Sequence, residues 1–147
     1  SDNGTPLISD PGYKLVKELR EKEYEVVPVP GPSAVTSVLS ISGLPTDRFI
    51  YLGFLPKSDI KRENILKTYL DLDNTLVIYE SPNRIFKLLE LVQRINDRVM
   101  VSAIRDMTKK REKAYYGRID TVIDYLKKDG LEKNPHGEWV IVLSNKV

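Results

Sequence analysis

The residues that could do chemistry are few, and they gather in loops. Glu80, Asp106, Glu112 and Glu138 each fall in or beside a stretch rich in Gly, Pro or small polar and charged residues. A carboxylate there can act as a general base, or serve more simply as a helix cap or an ion-pair partner. Two basic groups accompany them: Arg105 followed by Lys109-Lys110-Arg111 and Lys113, and Lys57 with Lys61 and Arg62 near a predicted helix start. Either group can contact phosphates or stand as solvated surface charge. With no cysteine and one histidine, disulfides, thiolate metal sites and cysteine nucleophiles are excluded, and almost nothing is left for zinc. No metal site is expected. The chain has no Gly-Lys-Ser/Thr phosphate loop, no Gly-x-Gly-x-x-Gly, no nucleophile elbow and no His-Glu-x-x-His.

The bulk properties bound the classes open to it. A chain of 147 residues with 41% hydrophobic and 30% charged residues suits one globular domain with a proper core. No apolar run approaches the roughly 20 residues that span a bilayer, and no leader pattern is present, so a cytoplasmic protein without a membrane partner is expected. The net charge of +2 and pI near 8.7 are compatible with nucleic acid without requiring it.

The elements that must position these residues follow from periodicity and punctuation. Asp10-Pro11 is a cap-then-proline start for a helix to about Lys22, with Leu15, Val16 and Leu19 on one face. Tyr24 to Val29 is an apolar, β-branched run closed by prolines, hence a strand. Gly31-Pro32-Ser33-Ala34 opens a helix whose Val35, Val38, Leu39 and Ile41 predict deep burial, ending at Gly43. Leu44-Pro45-Thr46 marks a boundary. Beyond it the pattern predicts a strand over 48–54, a basic amphipathic helix over 58–70 carrying Ile60, Ile65, Leu66 and Tyr69, and a buried strand over 75–79. Ser81-Pro82 starts a helix to about Ile95; strands follow at about 98–104 and 112–116, then a helix over 117–128 and a central strand over 138–144. Strands alternating with helices, with one strand-to-strand link, make a mixed α/β sheet.

Several loops carry more Gly, Pro and small polar residues than their length needs: Asp2 to Pro11, Pro30 to Ala34, Tyr79 to Pro82, Arg105 to Glu112 and His136 to Glu138. Most sit at the carboxyl ends of predicted strands, where α/β sheets bind ligands. Singly each is a plain turn. Together they point to a cleft, and the residues alone carry the reading as far as a small-ligand-binding α/β domain.

The segments Ser1 to Gly12, Val27-Pro28-Val29-Pro30-Gly31-Pro32-Ser33-Ala34, Ser42 to Phe49 and Gly53-Phe54-Leu55-Pro56, with Tyr79-Glu80-Ser81-Pro82 and Gly137-Glu138, carry a resemblance. In this order they resemble the bacterial small-subunit ribosomal RNA 2'-O-ribose methyltransferases of the tetrapyrrole-methylase-like superfamily, over essentially the whole chain. The resemblance implies S-adenosylmethionine as cofactor, a cytidine ribose 2'-hydroxyl of 16S ribosomal RNA in the small subunit as acceptor, and a homodimer. It implies that 1–43 are the rear part of a parallel-sheet cofactor domain and 44–147 a second α/β domain with a mixed five-stranded sheet flanked by helices. The family's first strands, which precede the residue matching Ser1, have no counterpart here, so the chain by itself is expected to bind cofactor weakly and to be inactive.

By the same resemblance, Gly4, Thr5 and Pro6, then Pro30, Gly31, Ser33 and Ala34, then Tyr79 and Ser81, and Gly137 with Glu138 line the cofactor cleft. Arg105 to Glu112 resembles an Arg-Glu-Leu-Thr-Lys segment but carries Asp106 and Met107. A ribose hydroxyl is a poor nucleophile at neutral pH, so Lys109 and Arg105 are candidates to stabilise the developing alkoxide or hold phosphate, and Glu80 to orient a substrate or cofactor hydroxyl. Two alternatives stand beside this: a tetrapyrrole ring methylase, disfavoured by Tyr79-Glu80-Ser81-Pro82, and a non-catalytic RNA-binding module using the basic loop with Tyr115 and Tyr116, one of which must face the core.

Overall fold

The computed structural model of the chain describes residues 4–146. Ser1, Asp2 and Asn3 of the opening loop, and Val147, lie outside the described residues. The elements run α1 (Tyr13–Glu21), α2 (Ala34–Ile41), β1 (Phe49–Phe54), α3 (Asp59–Leu70), β2 (Thr75–Glu80), a short 3-10 turn (Pro82–Arg84), α4 (Ile85–Ile95), β3 (Met100–Arg105), β4 (Lys113–Arg118), α5 (Ile119–Lys128) and β5 (Trp139–Ser144). The strands form one mixed sheet, as the pattern predicts, and its five strands, the number the resemblance implies, lie in the order β1-β2-β5-β3-β4. Only β1 and β2 are parallel; β5 runs antiparallel to both of its neighbours. All six residues of β5 are buried, which explains its unbroken apolar run.

Strand alternation divides the core between the two faces. Leu76 and Ile78 of β2 with Trp139, Ile141 and Leu143 of β5 meet the apolar sides of α4 and α5, where Ile85, Leu88, Leu89, Val92, Ile119, Val122 and Leu126 are buried as expected. On the other face, Val77, Val140 and Val142 meet Val35, Val38 and Leu39 of α2. Tyr115 is buried and Tyr116 half exposed, so one of the pair does face the core. Among the described residues no helix is long and apolar enough to cross a membrane.

Several expectations are corrected. No strand forms over Tyr24 to Val29: a strand exists only as a member of a ladder, no described strand lies beside this segment, and Val29 is left 83% exposed. Helix α1 buries none of its residues for the same want of a partner surface. Asp10 does not cap it. The helix starts two residues beyond Pro11, behind Gly12, whose φ of 129° brings the site where a Cβ would stand to 2.7 Å from Leu7 Cδ2. Ile41 and Ile60 are exposed, because α2 and α3 each turn only one side to the sheet. Ser58 and Ser81 precede their helices without a side-chain cap hydrogen bond.

The largest correction concerns Arg62. It is not a phosphate contact but a core residue, 2% exposed. Its Nε donates to Pro56 O (3.2 Å) and one terminal nitrogen to Lys57 O (3.2 Å), with Asp59 at 3.5 Å, so the guanidinium ties the β1–α3 loop to its own helix. Arg62→Ala strips two carbonyls of their donor and leaves a void. It is expected to lower the unfolding free energy by about 2–4 kcal/mol. Lys61→Ala, on the exposed side, is expected to change it by less than about 0.5 kcal/mol in the same denaturant titration.

Candidate ligand-binding cleft

The glycine- and proline-rich loops meet at one end of the sheet, beyond the carboxyl ends of β2 and β3 and the amino end of β5. The opening loop is stapled to the segment before α2: Thr5 N donates to Pro32 O at 2.8 Å and Thr5 Oγ1 to Gly31 O at 3.0 Å. Gly4 permits this approach, since at its φ of 76° a Cβ would lie 2.6 Å from Pro32 O. The loop is strained elsewhere, with Leu7 and Ser9 at φ of 72° and 60°. Ser9 Oγ and Tyr51 OH share a hydrogen bond that ties the loop down to the sheet.

Tyr79 closes the α2 face of β2. Its ring meets Tyr51 edge-on at 5.0 Å and Phe54 at 5.7 Å. Burial, and then the neighbouring Tyr51 hydroxyl, push its phenol up to about 12. Glu80, the next residue, points to the opposite face. Its side chain is fully buried, and Oε1 accepts from Ser81 N (2.7 Å), Ser81 Oγ (3.3 Å) and an Arg84 terminal nitrogen (2.6 Å). Arg84 continues to Ser81 Oγ and Leu55 O. Glu80 Oε2 has no partner.

The loop after β3 is bound to the start of β5 by a reciprocal pair: Asp106 N donates to Glu138 O (2.8 Å) and Glu138 N to Asp106 Oδ1 (3.0 Å). Asp106 is thereby committed, as is Glu112, whose carboxylate accepts from Thr108 N. Lys109 Nζ lies 2.7 Å from Glu138 Oε2, and that contact raises the lysine's pKa. Arg105 turns the other way. Its Nη1 meets His136 Nε2 at 3.1 Å, and since His136 Nδ1 faces Asn134 O at 2.8 Å and must donate there, Nε2 is the acceptor. Gly137 is required between them: at its φ of 87° a Cβ would stand 2.6 Å from Arg105 Cγ.

Two adjoining hollows open among these loops. One, of about 320 Å³, is walled by Gly4, Thr5, Ser33, Ala34, Tyr79, Lys109 and Glu138 among others. The second, of about 540 Å³, takes in Phe54, Glu80, Ser81, Pro82, Gly137 and Trp139. Ile8, Asp10, Ala34, Tyr79, Glu138 and Val140 border both, so they form one cleft. Of the candidate site residues and bases singled out in the sequence, Pro6, Pro30, Gly31, Arg105, Asp106 and Glu112 line neither hollow. Sequence reasoning passed over Ile8, Phe54 and Val140, which carry no signal beyond being apolar. It also missed the Glu80–Arg84 pair, although the spacing of four was there to be seen.

Residues 1–123 match the family model of tetrapyrrole (corrin/porphyrin) methylases. Proteins named ribosomal RNA small subunit methyltransferase I match along the chain. The one from Rickettsia prowazekii is 39% identical over 147 residues, covering 100% of this chain and 51% of its own length. That of Thermotoga maritima is 41% identical, covering 99% and 64%, and that of Escherichia coli O157:H7 is 40% identical, covering 97% and 50%. The chain thus spans about half to two thirds of these relatives. Among solved structures, the methyltransferase CobJ superposes with a TM-score of 0.65 at 16% identity, covering 97% of this chain and 62% of that one. Uroporphyrin-III C-methyl transferase from Thermus thermophilus, complexed with S-adenyl homocysteine, gives 0.58 at 17%, covering 95% and 62%. At such identities the likeness shows the fold.

Two outcomes follow from the geometry. Gly137→Ala is expected to destabilise the protein by about 2–4 kcal/mol, combining left-handed strain with the collision at Arg105. Gly130→Ala, at φ 72° with nothing within 4 Å of the added carbon, is expected to cost only the strain, about 1–2 kcal/mol. Equal losses in urea titration would mean that Gly137 does not pack as described. Tyr79 gives a pH test. Its folded pKa lies above the ordinary 10, so its contribution is complete below pH 10 and is lost as the pH climbs towards 12. Tyr79→Phe is expected to lose less stability than the parent across that window, followed by chemical denaturation at each pH.

Proposed function

The chain belongs to the tetrapyrrole (corrin/porphyrin) methylase family, and on that premise we propose that the protein carrying it transfers a methyl group from S-adenosylmethionine to a cytidine ribose 2'-hydroxyl of 16S ribosomal RNA. The observation that supports this most is the 39–41% identity, along essentially all of the chain, to relatives named for methylation of small-subunit ribosomal RNA. The ring methylases share the fold at 13–17% identity. The proposal takes 1–43 as the rear of a cofactor domain and 44–147 as the second domain, in a cytoplasmic homodimer acting on the small ribosomal subunit without a membrane partner.

The cleft suits the cofactor. Asp10 and Glu138 present carboxylates to a ligand that is cationic and rich in donors, and Ile8, Ala34, Phe54, Tyr79 and Val140 offer apolar walls to its ring. Gly4, Thr5, Ser33, Ala34, Tyr79, Ser81, Gly137 and Glu138 would hold it. Pro6, Pro30 and Gly31 act behind them by shaping the two stapled loops. S-adenosylmethionine supplies a methyl group activated on a sulfonium, and the protein's part is to bring the hydroxyl in line with it, at roughly 3–3.5 Å.

Lys109 stays protonated beside Glu138, and because that pair is exposed at the rim, exchanging the carboxylate for an RNA phosphate or a developing alkoxide costs little. Arg105 acts through His136, fixing the loop that carries Lys109.

The test uses protein of the relatives' full length carrying this chain, with labelled methyl donor and small subunits lacking the modification. Label is expected in a ribose of 16S RNA, with none in uroporphyrinogen. Lys109→Ala is expected to lower kcat/KM by about 10–100-fold with cofactor affinity unchanged. Label entering the ring instead sinks the reading in favour of a tetrapyrrole methylase. Salt-dependent RNA binding without cofactor affinity would favour a non-catalytic module.

A further inference from the structure

Lys57 and Lys61 belong to one of the two basic groups in the sequence, from which Arg62 has turned into the core. Both lysines are exposed. The carboxylates nearest to them along the chain are taken, Asp59 by Arg62 at 3.5 Å and Glu63 by Lys67 at 2.7 Å, and among the described residues neither lysine enters an ion pair. They do not serve the fold, since at the amino end of α3 the helix dipole disfavours a cation. What the fold does supply is a rigid mount. Leu55 is buried, Leu55 O accepts from Arg84, and Pro56 O and Lys57 O accept from Arg62, so two guanidiniums pin three successive residues of the β1–α3 loop.

That mount stands at the cleft. Phe54 walls the second hollow, and three residues of chain keep the Lys57 Cα within about 11 Å of its own. β1 and β3 point the same way as β2, so the loops at their carboxyl ends share the cleft end of the sheet. In the order β1-β2-β5-β3 they stand three strand spacings apart, about 14 Å, and the hollows, bordered by Phe54 on one side and Lys109 on the other, lie between. Lys57 and Lys61 thus flank the cleft opposite Lys109, Lys110 and Arg111, which are exposed too. Cationic flanks on both sides of a cleft match a polyanion laid across it, with its reacting group entering between them. We propose that Lys57 and Lys61 bind phosphates of the substrate RNA on the side of the acceptor nucleotide away from Lys109. This rests on the methyl-transfer reading and extends the RNA contact from one rim of the cleft to both.

Protein of full length is tested with small subunits lacking the modification and with protein-free 16S RNA. The substitutions leave the mount intact, because only the backbone of Lys57 takes part in it. Lys57→Gln combined with Lys61→Gln is expected to raise KM for subunits about 10–30-fold at about 0.1 M salt, the loss falling on KM and not on kcat. For the protein-free RNA, the slope of log affinity against log salt is expected to shrink by about 1.4, from two contacts at about 0.7 each. Lys57→Arg with Lys61→Arg keeps both quantities, and Lys67→Gln, which removes an exposed charge towards the other end of the same helix, changes neither. An unchanged KM and slope in the glutamine variant, or an equal loss in Lys67→Gln, overturn the proposal. Weaker binding to subunits with unchanged binding to the RNA also overturns it, in favour of a ribosomal protein as partner. A loss confined to S-adenosylhomocysteine affinity overturns it in favour of the cofactor. Should the parent methylate no RNA, the methyl-transfer reading falls, while the salt slope still decides whether the two lysines bind RNA phosphates.

Discussion

The structure depends on the burial of β5. Placed between β2 and β3 and antiparallel to both, Trp139 to Ser144 complete the ladders of each neighbour and supply apolar side chains to both layers of the core. A strand buried on both faces has little freedom of register, because a slip of one residue would exchange Trp139, Ile141 and Leu143 with Val140 and Val142. Its amino end is held as well. Trp139 stacks on Tyr115 at 5.8 Å and donates from Nε1 to His136 O, which fixes the approach through Gly137 and Glu138. The cleft inherits that rigidity, since Glu138 and Val140 border both of its hollows and Glu138 holds the Asp106 loop by its backbone.

The charges around the cleft divide into those spent on architecture and those at its rim. Asp106, Glu112 and Arg105 hold the loop after β3 in shape, with Asp106 and Thr108 at positive φ. Glu80 belongs with them, its side chain fully buried and one oxygen locking Ser81 and Arg84. Lys109 and Glu138 meet at the exposed edge, where an ion pair is weak enough to be traded. Loop carboxylates and cations that look equivalent in sequence are thus separated by burial and by what their second atom meets.

Most of the sheet was legible in the sequence. Over residues 44–146, apolar periodicity and Gly/Pro punctuation locate every strand and helix to within a few residues, because each element packs on the same core that its pattern was read against. The convergence of the loops was legible from composition. What failed was of two kinds. Tyr24 to Val29 and the apolar face of α1 have the right pattern but no partner among the described residues, and pattern alone does not supply a ladder. Arg62 failed through chemistry: a guanidinium that satisfies two carbonyls can be buried, which neither charge nor periodicity reveals. Which oxygen of Glu80 is free is likewise a tertiary fact, since it follows from where Ser81 and Arg84 lie.

The central claim is that the loops beyond the ends of β2, β3 and β5 build one ligand cleft. The most direct measurement is a crystal structure of protein of the relatives' full length, carrying this chain, with S-adenosylhomocysteine bound. The account predicts ligand density against Tyr79 and Ala34, between the Thr5 loop and Glu138. Ordered ligand elsewhere, with these walls in contact only with solvent, would contradict it.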